Sequence, residues 1–183
     1  MEQSYDHINH LIERCRKEEH HAQIEIYKLY YKAMFNTSLR IINDKFEAED
    51  IMQESFLTAF TKLNSFNNNG QASFGSWLKK IVINNSLTAL KKNKKFDTVP
   101  YEYAENLSFE ENDSEYSEIK CSDVLKMISK LKSNYRVALT LNLIEGYDSE
   151  EIAHIMNISN ENVRTTISSA KSKLRALMNL NPV

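Results

Sequence analysis

Apolar residues recur at spacings of three and four in successive stretches of this chain, and no run of strict alternation interrupts them. The spacing is clear in residues 5–17, 22–42 and 44–63, and it returns after residue 122. It places the apolar side chains on one face of an α-helix. Only three glycines and two prolines are present to form turns, and these residues are the usual breaks between helices. We therefore predict an all-α fold.

One long acidic stretch interrupts the helical spacing. Residues 96–121 contain Pro100, and eight carboxylates lie between Tyr101 and Asp123 against a single lysine, Lys120. This composition is typical of a flexible linker. Since a domain usually has roughly 100 to 150 residues, a chain of 183 residues suits two small domains. We predict a first helical domain at 1–95, an acidic linker at 96–121 and a second helical domain at 122–183.

Charge changes sign abruptly within the first predicted domain. Four acidic residues lie close together, namely Glu47, Glu49, Asp50 and Glu54. From Ser55 to Phe96 there are seven lysines and no Asp or Glu. The net charge of −2 conceals this division. We expect two surfaces that face different partners, and the basic surface suits a polyanion.

Residues 44–63 predict an amphipathic helix with two distinct faces. Asp44 is placed to cap the helix, with Glu47 at the third helical position. The apolar face consists of Met52, Phe56, Ala59, Phe60 and Leu63. A second stripe consists of Asp50, Gln53, Glu54 and Leu57. That stripe is either an ordinary solvated face or, because an apolar leucine borders the acidic side chains, an interface.

A polar loop at 64–76 follows this helix. It holds three consecutive asparagines and two of the three glycines, with Phe66 and Phe74 near its edges. Such a loop can offer amide groups and ring faces to an unstacked base. The two phenylalanines are alternatively core residues that plug helix ends.

The helix after the loop has a packing face and a basic end. Trp77, Leu78, Ile81 and Val82 form the packing face. The polar and basic end consists of Asn84, Asn85, Thr88, Lys91, Lys92, Lys94 and Lys95. Lysine side chains indicate affinity for a nucleic-acid backbone rather than sequence reading.

The second predicted domain ends in two helices separated by a tight turn. We expect Ser122 or Asp123 to cap its first helix and Gly146 to stop a second helix at 135–144. Asp148 or Ser149 starts a short helix, and Asn157 suits the left-handed conformation of a turn. Ser159 then caps a long helix with inward-facing Val163, Ile167, Ala170, Leu174 and Leu177. The pattern favours a helix-turn-helix over a generic helical bundle.

Charge on the last predicted helix supports DNA binding. From Asn162 to the C-terminus there are four basic residues and no acids. Arg164, Thr165 and Ser168 lie near the N-terminal half of the outer face, where such helices contact base edges. Lys171, Lys173 and Arg175 are placed for phosphates. Asn160 and Ser169 complete the predicted DNA-facing set.

Three segments resemble the bacterial RNA polymerase sigma factors of the sigma-70 family. EDIMQESFL at 49–57 and FGSWLKKIVIN at 74–84 are similar to the second conserved region of these proteins. SEEIA at 149–153, continuing through Val163 and Arg164 to Leu174 and Arg175, is similar to the fourth. The compact form matches the extracytoplasmic-function group. Departures occur at Thr88, Lys91, Thr166 and Ser169, where relatives commonly carry Asp or Arg, and they leave the promoter sequence open.

This resemblance implies an alternative sigma factor with no catalytic residues and no cofactor. It assigns Asp50, Gln53, Glu54 and Leu57 to the clamp helices of the polymerase's largest subunit. It assigns minus-ten recognition and melting to Phe66, Asn67, Asn68, Ser73, Phe74, Asn84, Thr88, Lys91 and Lys92. It assigns the last helix to the minus-thirty-five element and its domain to the polymerase flap. It also implies that the linker threads the polymerase channels and that an anti-sigma factor restrains the protein.

Two other classes of protein remain to be compared with a sigma factor. A stand-alone helix-turn-helix regulator would bind an operator tightly without polymerase. A nucleic-acid enzyme would need a metal set or a nucleophile and base, and neither is present in the sequence; His20 and His21 point in different directions on a helix. Cys15 and Cys121 are isolated thiols, which fits a reducing cytoplasm. The resemblance implies a bacterial, nucleoid-associated protein. No apolar run approaches the ~20 residues of a membrane span, so we expect no membrane insertion.

Overall fold

A computed structural model describes residues 2–67, 73–92 and 121–180. Within these ranges the ordered elements are helical and no strand occurs, so the predicted all-α class is confirmed. The chain divides into two compact units, Met1–Leu90 and Lys91–Val183. The predicted linker at 96–121 lies outside the described residues except for Cys121, as does Asn68. The predicted domain boundaries therefore stay predictions.

Four helices form the first unit. They are α1 (Glu2–Arg16), α2 (His20–Ile42), α3 (Lys45–Thr61) and α4 (Phe74–Lys92), with a 3-10 turn at Leu63–Ser65. Asn43 adopts the left-handed conformation at φ 63° and ends α2. The Asp44 carboxylate then accepts a hydrogen bond from the Glu47 N–H at 2.9 Å, which confirms Asp44 as the predicted cap of α3.

The core of the first unit lies among α1, α2, α3 and α4. Leu11, Ile26, Met52, Phe56 and Leu78 are among its buried side chains. Two pairs of small polar groups link the helices inside it. The Ser38 and Ser86 hydroxyls lie 3.2 Å apart, and the Asn85 side-chain amide donates to Ser55 Oγ at 3.0 Å. Because these polar groups are paired, α4 is held against both α2 and α3 without leaving a buried donor unsatisfied.

The start of α4 approaches α2 closely at Gly75. A Cβ atom added at Gly75 would lie 2.9 Å from Cε1 of the Tyr30 ring. That ring makes an edge contact with Phe74 at 5.5 Å between centroids. Since a neighbouring ring restricts its movement, the extra methyl group would be accommodated only by a shift of α4 or of Tyr30.

Gly75→Ala is therefore expected to lower the free energy of unfolding by about 1 to 3 kcal/mol. The reason is overpacking against Tyr30, and denaturant unfolding followed by circular dichroism measures it. In a Tyr30→Ala background the same change should be neutral or stabilising, because alanine is a better helix former than glycine. An equal loss in both backgrounds would show that the Tyr30 contact is not the cause.

Four helices and one π-helical turn make up the described part of the second unit, residues 121–180. They are α5 (Cys121–Ser129), α6 (Ser133–Leu139) continuing into a π turn at Thr140–Ile144, α7 (Ser149–Met156) and α8 (Asn160–Leu180). The core is apolar and joins α5, α6 and α8. Its buried members include Met127, Ile128, Leu131, Leu139, Ala170 and Leu174.

Short-range capping hydrogen bonds define the helix boundaries of the helix-turn-helix in this unit, as predicted. Asp148 and Glu151 form a reciprocal capping box at the start of α7. Asn157 ends α7 at φ 58° and ψ 51°, and Ser159 Oγ accepts a hydrogen bond from the Asn162 N–H at 3.2 Å. The turn and the start of α8 are therefore fixed by short-range hydrogen bonds.

Two boundary predictions in the second unit are wrong. Neither Ser122 nor Asp123 caps the first helix, because α5 begins at Cys121. Asp123 instead lies in the first turn and pairs with Lys126 at 3.2 Å. The second helix begins at Ser133 rather than at Tyr135. Its end is as predicted, because the π turn ends at Ile144, just before Gly146 at φ 79°.

Candidate functional site

The helix α3 presents its predicted polar stripe to solvent. Its inner face is buried and consists of Ala48, Ile51, Met52, Ser55, Phe56 and Ala59. The outer residues Asp50, Gln53 and Glu54 are exposed. Leu57 lies beside them with 69% of its surface in solvent. A large apolar side chain at this exposure favours an interface over an ordinary solvated face.

Phe46, in the first turn of α3, is the functional candidate that the sequence reasoning missed. It is 79% exposed, more than any other large apolar side chain among the described residues. Its spacing of four residues from Asp50 places it on the same side of the helix. Extending the predicted stripe one turn toward the N-terminus would have found it.

The outer face of α4 carries the predicted polar and basic residues. Asn84, Thr88, Lys91 and Lys92 are exposed. The Thr88 hydroxyl donates to the Asn84 carbonyl at 2.8 Å. Asn85, by contrast, turns inward to Ser55 and is a packing residue. Of these two neighbouring asparagines, Asn84 therefore faces solvent and Asn85 joins α4 to α3.

Phe66 and Phe74 are buried, and both belong to the core rather than to a surface that could stack a base. Each is 3% exposed, and their rings meet edge to face with centroids 5.5 Å apart. Trp77 lies 5.3 Å from the first ring and 5.6 Å from the second. The physical reason is that three aromatic side chains bury more apolar area together than apart. We correct the predicted minus-ten set by removing both phenylalanines.

The ends of the polar loop are fixed, and their outermost described residues are exposed. Asn67 and Ser73 face solvent. Ser73 Oγ accepts a hydrogen bond from the Ser76 N–H at 3.2 Å and so caps α4. Arg16 Nη2 donates to the Phe66 carbonyl at 2.6 Å and Arg16 Nη1 to Glu13 at 2.5 Å. This arginine ties the end of α1 to the start of the loop across fifty residues of sequence.

The helix α8 presents a polar outer face in the second unit. Val163, Ile167 and Ala170 are buried against the unit. On the other side Arg164, Thr165, Ser168 and Arg175 are exposed, whereas Asn160, Ser169 and Lys171 are half-buried. The exposed residues therefore share one side of the helix and the half-buried ones lie toward its borders, with Arg164 as the long side chain of the first turns.

Lys173 differs from the other basic residues of α8. Its Nζ lies 5.6 Å from the centre of the Tyr135 ring on α6. A cation held over an aromatic face gains about 0.5 to 1 kcal/mol at an exposed site. Since a phosphate contact would compete with the ring, we expect Lys173 to contribute less to DNA binding than its charge suggests.

Reactive groups are sparse in the described part of the chain. Cys15 is buried, and burial raises the pKa of its thiol to about 11, so the thiol is protonated and unreactive at neutral pH. No group of three His, Cys, Asp or Glu side chains in the described ranges is arranged to hold a metal ion. None of the described helices combines the length and apolar character needed to cross a membrane.

Comparison with protein families identifies both units. The family model of Sigma-70 region 2 matches residues 26–96. The model of Sigma-70, region 4 matches residues 122–174. The chain is 31% identical to the ECF RNA polymerase sigma factor SigM of Bacillus subtilis (strain 168), over 85% of this chain and 94% of SigM. It is 27% identical to the ECF RNA polymerase sigma factor SigW of the same organism, over 92% and 95%.

Two solved structures share the fold. The sigma factor RpoE, in complex with the anti-sigma factor NepR from Bartonella quintana, matches with a TM-score of 0.57 and 21% identity over 86% of this chain and 96% of RpoE. CnrH, in complex with the cytosolic domain of CnrY, matches with a TM-score of 0.54 and 18% identity over 93% and 96%.

Proposed function

This chain belongs to the extracytoplasmic-function group of the sigma-70 family and is an alternative sigma factor that directs transcription initiation, and we propose which of its surfaces bind the polymerase and which bind promoter DNA. The first unit binds core RNA polymerase and opens the minus-ten element. The second unit reads the minus-thirty-five element. The observation that carries the proposal is that α3 and α4 of one unit expose faces of opposite chemistry.

The acidic face of α3 binds the polymerase. Asp50, Gln53 and Glu54 provide two charges and an amide on a rigid helix, and Leu57 provides an apolar contact next to them. Such a face fits a basic helical surface, which we take to be the clamp helices of the largest subunit. Charge complementarity of this kind fixes the register of an interface and excludes wrong partners.

The face of α4 and the adjoining loop ends receive promoter DNA near position minus ten. Asn84 and Thr88 supply hydrogen-bonding groups, and Lys91 and Lys92 supply positive charge at the end of the helix. Asn67 and Ser73 lie at the two ends of the loop. Because Asn67 and Ser73 directly adjoin Phe66 and Phe74, which are buried in the aromatic cluster, the loop ends stay fixed while a melted strand is captured. Asn68 is kept in this proposal on the sequence resemblance alone.

The outer face of α8 reads the minus-thirty-five element from the major groove. Arg164, Thr165 and Ser168 lie where the second helix of a helix-turn-helix contacts base edges. Lys171 and Arg175 neutralise phosphates further along, and Asn160 and Ser169 flank the contact surface from half-buried positions. The same unit contacts the polymerase flap.

An anti-sigma factor restrains this protein in the cytoplasm. The support is that the RpoE and CnrH structures contain NepR and the cytosolic domain of CnrY, respectively.

We further propose that the acidic segment 96–121, which carries most of its charge as carboxylates, passes through the polymerase channels as a negatively charged segment when the two domains bind a promoter.

Run-off transcription with purified core polymerase tests the proposed function. A promoter selected from a library should yield transcripts only when the protein is added. A stand-alone helix-turn-helix regulator would instead bind duplex DNA tightly by itself and start no transcript. That result would overturn the assignment of the polymerase and promoter surfaces.

Asn84→Ala is expected to slow promoter opening on duplex DNA and to be partly rescued on a pre-melted template. Unstacking a base costs a few kcal/mol. If Asn84 binds the unstacked base, its contact offsets part of that cost, and the alanine variant loses this contact. Thr58→Ala on α3 is a control of similar size outside the proposed DNA surface. Equal defects on duplex and pre-melted templates would point to lost polymerase binding, and would contradict the role given to Asn84.

A further inference from the structure

The first turn of α3 exposes an aromatic side chain that the fold does not use. Phe46 keeps 79% of its surface in solvent, and the next most exposed large apolar residue among those described is Leu57 at 69%. Both lie on α3. Every other large apolar side chain of α3 points inward or packs against the core. Two such side chains on the outer face of one helix call for a common explanation.

We infer that Phe46 is a second apolar anchor of the polymerase-binding face and extends that face one turn toward the N-terminus of α3. The inference rests on the proposed function, because it takes core RNA polymerase as the partner. It adds Phe46 to the surface that the family resemblance places at Asp50, Gln53, Glu54 and Leu57, and it extends that surface along the axis of α3.

Helix geometry aligns the two apolar residues with the polar ones. Phe46, Asp50, Gln53 and Leu57 follow one another at spacings of four, three and four. Side chains at these spacings lie above one another on one side of an α-helix. At a rise of 1.5 Å per residue, the two apolar side chains are separated by about 16 Å along the axis. The stripe is therefore apolar at both ends and polar in the middle.

The start of α3 is rigid enough to present an anchor. Asp44 caps the helix directly before it through the 2.9 Å hydrogen bond from the Glu47 N–H. Ala48 and Ile51, in the next turns, are buried at 0% and 5% exposure. Because the cap and the core hold this turn on both sides, the backbone at Phe46 is already ordered before binding, which lowers the entropic cost of using it as an anchor.

The stripe determines the chemistry of its partner. Asp50 and Glu54, with Glu49 beside them, require basic groups opposite the centre of α3. Phe46 and Leu57 require an apolar depression at each end, about 16 Å apart. A polymerase surface that is basic between two apolar pockets meets these conditions. Aromatic anchors in such pockets are common among the residues that dominate binding energy.

The exposed apolar residues of α2 differ from Phe46 and provide a matched control. Leu29 is 52% exposed and lies beside Lys28 and Lys32, both exposed, on α2 and outside the acidic stripe of α3. Truncating Leu29 removes a comparable exposed apolar side chain from the same unit but not from the α3 stripe. A general effect of lost hydrophobic surface would therefore affect both variants.

Equilibrium binding of full-length Phe46→Ala to core polymerase tests the inference. We expect binding on the order of tenfold weaker or more, unchanged unfolding by denaturant, and near-normal binding by Phe46→Leu and Leu29→Ala. Asp50→Arg with Gln53→Ala is measured in parallel and should lose binding. Sedimentation of the free protein at several concentrations reports self-association.

The outcomes separate this inference from the proposed function. Normal binding by Phe46→Ala, together with lost binding by the Asp50 and Gln53 double variant, would overturn the anchor role and leave the polymerase face intact. Normal binding by both would overturn the face itself and the anchor with it. If Phe46→Ala changed only the concentration dependence of sedimentation, Phe46 would belong to a contact between copies of this chain, and the inference would be wrong.

Discussion

The double variant Asp50→Arg with Gln53→Ala is expected to weaken binding to core polymerase by about a hundredfold or more, because reversing a charge in a complementary interface costs several kcal/mol. Both residues are exposed on the outer face of α3, whereas Met52 and Phe56 are buried on the inner face. The fold should therefore be unaffected. Binding of the purified full-length protein to core polymerase, measured at two salt concentrations, gives the change in affinity.

A charge reversal elsewhere on the first unit provides the control. Glu25→Arg makes the same change of charge on α2 and gives up an exposed contact with His7 at 3.1 Å and a minor electrostatic attraction to Arg14, which contribute little to stability. This variant should bind polymerase nearly as well as the unmodified protein. Normal capture of polymerase by the folded Asp50 and Gln53 variant would remove α3 from the interface.

Features that depend on neighbouring residues were predictable from the sequence. Asp44, Asp148 or Ser149, and Ser159 were expected to start helices, and Asn157 to end one, because the relevant hydrogen bonds span only two to four residues. The helical class followed in the same way from apolar spacing. The error at Ser133 arose where a helix began without a side-chain cap hydrogen bond, since Lys132 at its N-cap makes none.

Features that depend on contacts between distant segments were not predictable. The hydrogen bond from Arg16 to the Phe66 carbonyl joins residues fifty positions apart, and nothing in either local pattern indicates it. The burial of Phe66 and Phe74 was one of two alternatives, and only the packed cluster with Trp77 decides between them. The cation–π contact of Lys173 with Tyr135 likewise depends on tertiary packing. It lowers the phosphate contribution that we expect from this lysine, which spacing alone had assigned to phosphates.

Phe46 illustrates a different kind of omission. Its spacing from Asp50 was visible in the sequence, but that spacing does not show whether an aromatic residue in a first helical turn is buried or exposed. Only its 79% exposure in the structure distinguishes the two cases. Residues whose function depends on being exposed while chemically suited to burial are the ones that sequence patterns describe least well.

Arg164→Ala and Lys171→Ala are expected to affect promoter binding in different ways. Arg164 lies in the first turns of α8, where an arginine can contact a guanine with two hydrogen bonds, worth about 1 to 3 kcal/mol of discrimination. Its loss should relax preference at one or two minus-thirty-five positions. Loss of a phosphate contact by Lys171 should weaken every promoter alike and reduce the slope of log affinity against log salt by about 0.9.

Two measurements distinguish base recognition from phosphate binding by the residues of α8. Transcription from a randomised promoter library reports the preferred sequence of each variant, and binding of the polymerase holoenzyme to one promoter across a salt series reports the slope. Lys173→Ala is the matched control, because its ammonium group is already held over Tyr135 and should change the slope less than Lys171→Ala does. Uniform weakening by Arg164→Ala, or an altered sequence preference in Lys171→Ala, would show that the roles along this helix are assigned wrongly.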